Sequence, residues 1–197
     1  MPRWFQNTLF ALAAVPLLTG AAGAVDVYLA LEAAGQGTYT VDGRVWTPGN
    51  PSGAWSVLSD YDHLPAFIPS LRESHVQQRS ADFLLLKQEA VGRALGIFHR
   101  QLHVLLKVRE KPEQEIAFED TAHHDFVSYG GCWQIEPAAG GGSWVNYHLA
   151  AKPRFYAPAF VARKAFRDNA KDLLLSVQSE IIRRGDLKNT LLCCSPR

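Results

Sequence analysis

Trp55-Ser56-Val57-Leu58-Ser59-Asp60-Tyr61-Asp62-His63-Leu64-Pro65-Ala66-Phe67-Ile68-Pro69-Ser70-Leu71 is the stretch on which the fold turns. Just before it, Asn50-Pro51-Ser52 offers an N-cap residue followed by proline at the first helical position. A short helix therefore opens there and runs over about 51–59, with Trp55 and Leu58 on its buried side. Pro65 and Pro69 fragment the next stretch, leaving at best a second short helix over 61–68. Asp60 reads as a turn-former that caps or pins the join, not as a catalytic acid. His63 fits no strong metal-ligand spacing and reads as a surface loop histidine. Trp55 and Phe67 read as core or cavity wall.

Downstream of this stretch the apolar period changes to two. Strands are expected over 71–79, 82–91, 95–109, 113–120, 125–136 and 143–152, with short separators at 80–82, Gly92, 111–112, 123–125 and 138–142. Strands spaced so closely, with no helices between them, call for an antiparallel meander. After Pro158 the period becomes helical: Ala159, Ala162, Phe166, Ala170, Leu173, Val177 and Ile181 share one stripe. This long helix is expected over about 158–184, with Gly185 as its stop and a frayed tail over 186–197. Some 27 residues at about 1.5 Å each give roughly 40 Å, enough to cross a whole sheet. Upstream, Val25, Val27, Leu29 and Leu31 alternate as a strand, Gly35-Gln36-Gly37 turns, and 38–47 forms a second strand. The expected class is α+β: a curved antiparallel sheet around one long C-terminal helix, with two short helices after the N-terminal strands. The gap where the sheet bends away from the helix is a natural cavity for an apolar ligand.

Residues 1–24 read as a secretory signal peptide. Arg3 supplies the positive end, Leu9–Leu18 an apolar stretch too short to span a bilayer, and Ala22-Gly23-Ala24 a cleavage site. Export to the periplasm or beyond is the expectation, leaving 25–197 as a single domain. The 20 Lys+Arg and 19 Asp+Glu become balanced once Arg3 is removed. That balance argues against a nucleic-acid partner, which needs a basic surplus to displace counterions. With 47% hydrophobic and 20% charged residues, disorder is excluded as well. Of the three cysteines, Cys193 and Cys194 are adjacent, and their Cα atoms about 3.8 Å apart fall short of the usual disulfide span of about 4.4–6.8 Å. One of them pairs with Cys132 or links two molecules, or else Cys132 is a small core residue; the last reading is preferred.

The order of elements over nearly all of 25–185, together with the 55–71 signature, resembles the START-like (helix-grip, SRPBCC) superfamily. The closer resemblance is to its polyketide cyclase/dehydrase or coenzyme Q-binding branch. The hallmarks are the Trp on the first short helix, Asp-Tyr-Asp, Leu-Pro, and Phe-Ile-Pro leading into a strand, continued by Ser74 and Val76. Gly131-Cys132-Trp133-Gln134-Ile135 with Gly141-Gly142 resembles that branch's Gly-x-Trp strand and glycine hairpin. The resemblance implies a helix-grip fold and a function among lipid carriers, quinone binders and aromatase/cyclases. It also places 152–164 near the pocket entrance.

Strand parity selects the candidate ligand contacts. Phe98, Arg100, Leu102, Val104, Leu106 and Val108 share one face, and Gln88 falls with Leu84, Leu86 and Ala90. Tyr129 and Trp133 make a third such face with Ile135, and Tyr147 a fourth with Val145 and Leu149. The expected pocket residues are Phe67, Gln88, Phe98, Arg100, Tyr129, Trp133, Tyr147, Phe160 and Phe166. Of these, Gln88, Arg100, Tyr129 and Tyr147 would orient the ligand. A buried Arg100 needs a carboxylate or carbonyl partner; the competing readings are a bulge that reverses parity, or an arginine snorkelling to a strand end. No catalytic residue, metal or cofactor is expected. His99 and His103 would lie about 13 Å apart on a strand, and His123-His124-Asp125 is a turn cluster whose metal binding would be incidental. Hydrolase and nucleotide-binding motifs are absent. Basic and aromatic residues interleave over 152–164, a composition suited to transient contact with an anionic membrane surface, or to a loop whose aromatics complete the core.

The reading that best fits these residues is an exported carrier for a hydrophobic ligand, a lipid or isoprenoid quinone, held in a groove under the C-terminal helix. The alternative is a polyketide cyclase or dehydratase using the same cavity.

Overall fold

Asn50 begins the first helix as its side chain demands, accepting the Gly53 backbone N–H at 3.3 Å. The computed structural model describes the backbone of residues 28–33, 37–94 and 98–193, and side chains over 37–92 and 100–185. The signal segment 1–24, Val25, Val27, the Gly35-Gln36 turn, Cys194, and the side chains of Phe98 and Cys193 lie outside the described residues. β1 (Tyr28–Ala33) and β2 (Tyr39–Thr47) precede α1 (Pro51–Leu58) and a 3-10 helix (Tyr61–Ala66). Six strands come next: β3 (Leu71–Arg79), β4 (Leu84–Ala94), β5 (Phe98–Lys111), β6 (Glu115–Asp120), β7 (Phe126–Pro137) and β8 (Ser143–Pro153). α2 (Ala159–Cys193) closes the chain.

The described strands form one eight-stranded antiparallel sheet in the order β1-β2-β8-β7-β6-β5-β4-β3. The meander from β3 to β8 thus runs without a crossover, and β2 returns to pair with β8. α1 and the 3-10 helix make the crossing between β2 and β3. α2 packs from β2 across to β4, inside the curve of the sheet. This is the helix-grip arrangement expected from the sequence.

Two glycine sites show why the strands approach as they do. A Cβ at Gly131 on β7 would collide with the His148 carbonyl on β8, so only glycine lets these strands pair there. Gly140, Gly141 and Gly142 hold φ of +85°, +101° and +84°, turning the hairpin between β7 and β8. Gly185, by contrast, does not stop α2. The helix continues through it to Cys193, because glycine inside a helix costs only about 1 kcal/mol relative to alanine.

Polar locks hold the signature stretch against α2. Asp60 makes no capping bond. Its carboxylate instead pairs with His63 at 2.7 Å and with Arg184 at 2.9 Å, joining the 3-10 helix to the later turns of α2. Arg184 also donates to Glu180 at 2.7 Å and to the Ser56 carbonyl at 3.3 Å. Asp62 accepts the Val76 N–H at 3.0 Å, which fixes β3 beneath the turn. Gln178 donates to the Trp46 carbonyl at 2.6 Å, tying α2 to the end of β2. Asp60 is therefore a pin between elements, and His63 is the exposed surface histidine that its spacing suggested.

Candidate functional site

The apolar period of β4, β5 and β6 puts Leu86, Ala90, Leu102, Val104, Leu106, Val108, Ile116 and Phe118 on the concave face of the sheet. Beneath them the 3-10 helix contributes Tyr61 and Leu64, Ile68 comes just after it, and α2 contributes Leu173 and Val177. Together with Phe126, Tyr129 and Trp133 from β7 and Tyr147 from β8, they enclose a cavity of about 180 Å³. An engineered apolar cavity of about 150 Å³ holds a benzene ring, so this space takes a ring or a short acyl segment.

The aromatic side is built by packing. Trp133 lies 4.5 Å from Tyr147, Phe118 6.4 Å from Tyr147, and Phe126 4.8 Å from Tyr129 between ring centroids. Phe126 and Tyr129 reach the same wall despite opposite parity, because the β7–β8 register shifts between Phe126 and Ser128. Straight alternation misses Phe126 for that reason. Ile116 and Phe118, and the inward turn residues Tyr61, Leu64 and Ile68, were also missed. Alternation along β6 carried the signal for the first two; the 3-10 helix has no period that would reveal the others.

Few polar groups interrupt this wall. Tyr129 and Tyr147 place two phenols in the wall, and burial pushes both up, Tyr147 well above the ordinary range. Both stay neutral at any ordinary pH. Each phenol carries one O–H donor that a ligand can use. Gln88 donates to the Ser74 hydroxyl at 3.1 Å, which orients its amide at the cavity edge. Tyr61 points its hydroxyl away to Glu110, donating at 2.6 Å; burial first, then Glu110, raises its pKa. Among the described residues of the wall there is no carboxylate, histidine, lysine or arginine.

The nine residues expected to line the pocket divide accordingly. Gln88, Tyr129, Trp133 and Tyr147 stand in the wall. Phe98 opens β5, but its side chain lies outside the described ones. Arg100 shares the inward parity of Leu102 yet sits one step beyond the cavity. There its half-exposed guanidinium pairs with Asp125 at 3.4 Å and stacks 4.2 Å over Phe155. The partner it needed is a protein carboxylate at the strand end. Phe67 is half-buried against the core, with the Arg184 guanidinium 6.0 Å from its ring, and does not line the cavity. Phe166 stacks on Tyr39 at 5.1 Å, nearer the start of α2 than the cavity. Phe160 is 68% exposed.

Outside the cavity, Cys132 is a half-buried, unpaired thiol beside Ala117 and His148, and burial raises its pKa. The segment after β8 crosses the end of the sheet: Arg154 donates its backbone N–H to the Asp125 carbonyl and its side chain to the His123 carbonyl, both at short range (2.9 and 2.8 Å). Tyr156 beyond it is 92% exposed, and Arg163 and Lys164 are exposed beside Phe160. Among the described residues no helix is long and apolar enough to cross a membrane.

Comparison with known proteins gives a family and a shared fold. The model of a family described as polyketide cyclase / dehydrase and lipid transport matches residues 47–177. No curated protein matches the sequence. Among solved structures, a START superfamily protein from Mycobacterium smegmatis superposes with a TM-score of 0.61 at 14% identity, over 72% of this chain and 96% of its own. An aromatase/cyclase from Streptomyces sp. R1128 gives 0.62 at 15% identity, over 75% and 95%. A STAR-related lipid transfer protein from Xanthomonas axonopodis gives 0.57 at 14%, over 78% and 98%. At such identities these likenesses speak for the fold.

Proposed function

The chain belongs to the polyketide cyclase/dehydrase and lipid transport family, and from that premise we propose that it is an exported carrier of an apolar molecule bearing a carbonyl. A lipid acyl group or the ring of an isoprenoid quinone has that chemistry. One observation carries this reading: the cavity wall is mostly apolar and its polar groups, among them the Tyr129 and Tyr147 phenols, Gln88 and Ser70, are all neutral. Such a wall rewards desolvation and orients a carbonyl oxygen without offering a proton acceptor that titrates near neutrality. At about 180 Å³ the cavity seats the ring or the head of a chain, and the remainder of a longer ligand lies outside it. Tyr156 and Phe160, exposed with Arg163 and Lys164 before and at the start of α2, suit docking to an anionic bilayer from which the ligand is collected. Export rests on residues 1–24, whose charge, apolar run and small-residue site form a signal peptide.

A cyclase or dehydratase acting in the same cavity is the second reading, favoured by the same hydroxyl pair, which can polarise a substrate carbonyl. Native mass spectrometry of protein purified after export, followed by organic extraction, separates the outcomes. A discrete apolar adduct on the intact chain supports the carrier. A chain that leaves export empty and takes up neither acyl nor quinone probes contradicts it. Turnover of a polyketide-like substrate that Tyr147→Phe abolishes would transfer the assignment to the enzyme.

A further inference from the structure

Where β6 ends, β5 continues with an unpaired edge, and two carboxylates take over as its acceptors. Asp120 accepts the Leu105 N–H at 3.0 Å, and Asp125 accepts the His103 N–H at 2.8 Å. Asp125 gathers more than this role requires. Its Oδ2 also meets Nδ1 of His103 at 3.2 Å and Nδ1 of His124 at 3.1 Å. One N–H and two imidazole nitrogens thus converge on one sp² oxygen, which has two lone pairs. Among the described residues, Oδ1 meanwhile receives only Arg100, at 3.4 Å.

We infer that His103, His124 and Asp125 form a binding site for a zinc-class divalent cation. Their ligand atoms lie within 4.8 Å of one another. Tetrahedral coordination with bonds of about 2.1 Å needs ligand-to-ligand edges of about 3.4 Å, close to the two imidazole-to-carboxylate distances. A cation would sit between Oδ2 and the two imidazole Nδ1 atoms and leave the second lone pair of Oδ2 to the His103 N–H. Two imidazoles and a carboxylate are the donors that zinc, nickel and copper(II) prefer over magnesium or calcium. Arg100 on Oδ1 then holds the carboxylate's orientation from outside the metal shell. Asp125 is buried, while His103 and His124 are partly and largely exposed, so the cation has a route in and a coordination position left for water. The sequence conceals this site because the third ligand comes from β5, some twenty residues before the turn. Occupancy would clamp the connection between β6 and β7 onto β5, beside the cavity residue Phe126.

The test is titration of the untagged protein with zinc alone, read by calorimetry and by the thermal midpoint. The expected result is one zinc per chain and a raised midpoint. His124→Ala, on the exposed turn, should weaken binding at least ten-fold and remove the midpoint shift. His123→Ala, one residue away and outside the cluster, should stay within about two-fold of wild type. His103→Gln should match His124→Ala; its far-UV circular dichroism checks that the sheet is intact. Absence of binding, equal binding by His124→Ala, or equal loss in His123→Ala would each overturn the site.

Discussion

The two ends of α2 are held very differently. Toward its later turns, Leu174, Val177 and Ile181 are at most 4% exposed, and Glu180 and Arg184 bind it to the signature stretch through Asp60 and Ser56. Toward its start, Phe160 is 68% exposed, and Arg163, Lys164 and Arg167 face solvent. The cavity lies between these regimes, covered by Leu173 and Val177. A helix anchored at one end can seal a cavity floor while leaving its other end available for entry and docking. The anchoring contacts therefore belong to the later turns, and the proposed ligand traffic to the earlier ones.

Substitutions that break this contrast should act most strongly at the anchored end. Leu174→Ala removes a fully buried side chain and should cost about 3 kcal/mol in urea unfolding, whereas Phe160→Ala should stay within about 0.5 kcal/mol. Equal costs at both positions would erase the distinction. Next comes the polar lock. Arg183 first, and Arg184 with it, outweigh burial and hold the Glu180 carboxyl down at about 2. A depressed carboxyl stabilises the fold at pH values above its unfolded value of about 4.3, and the benefit is lost as the pH falls through about 2. Glu180→Gln should therefore lower stability by about 2–3 kcal/mol at neutral pH, with the gap closing between about pH 4 and 2. Thermal melts of both proteins across that range check the sign.

Smaller effects sharpen the comparison at the cavity and the mouth. Tyr147→Phe removes one of the two phenol donors of the wall and should weaken a carbonyl ligand five- to ten-fold while changing stability by about 1 kcal/mol or less. The corresponding measurements are urea unfolding and probe titration. Phe160→Ser should leave both stability and equilibrium affinity unchanged and slow ligand transfer from anionic vesicles several-fold. A transfer rate equal to wild type would detach the exposed aromatics from function.

The sequence made the sheet legible because its strands alternate with short turn signals between them; the six strands of the meander fall within a few residues of their expected bounds. The end of α2 was not legible, since Gly185 signals a stop only where the chain adopts a left-handed conformation, and here the helix runs on. Parity located Gln88, Tyr129, Trp133 and Tyr147 on the cavity wall. It misplaced Arg100 because alternation tells which face a residue takes and not how far along the strand the cavity extends. Phe126 escaped because a bulge shifts the register at Val127. Phe67, Phe160 and Phe166 were chosen for aromatic character near the helix, and such character serves packing and surface as readily as a cavity.

The most direct test of the carrier account is stoichiometric titration with a fluorescent polyene fatty acid, comparing wild type with Ala90→Phe. Ala90 lines the cavity, and a phenyl ring there occupies most of its 180 Å³. The account predicts one probe bound per wild-type chain and none by Ala90→Phe, with the variant still folded by circular dichroism. Undiminished binding by the filled variant would place the ligand elsewhere and contradict the account.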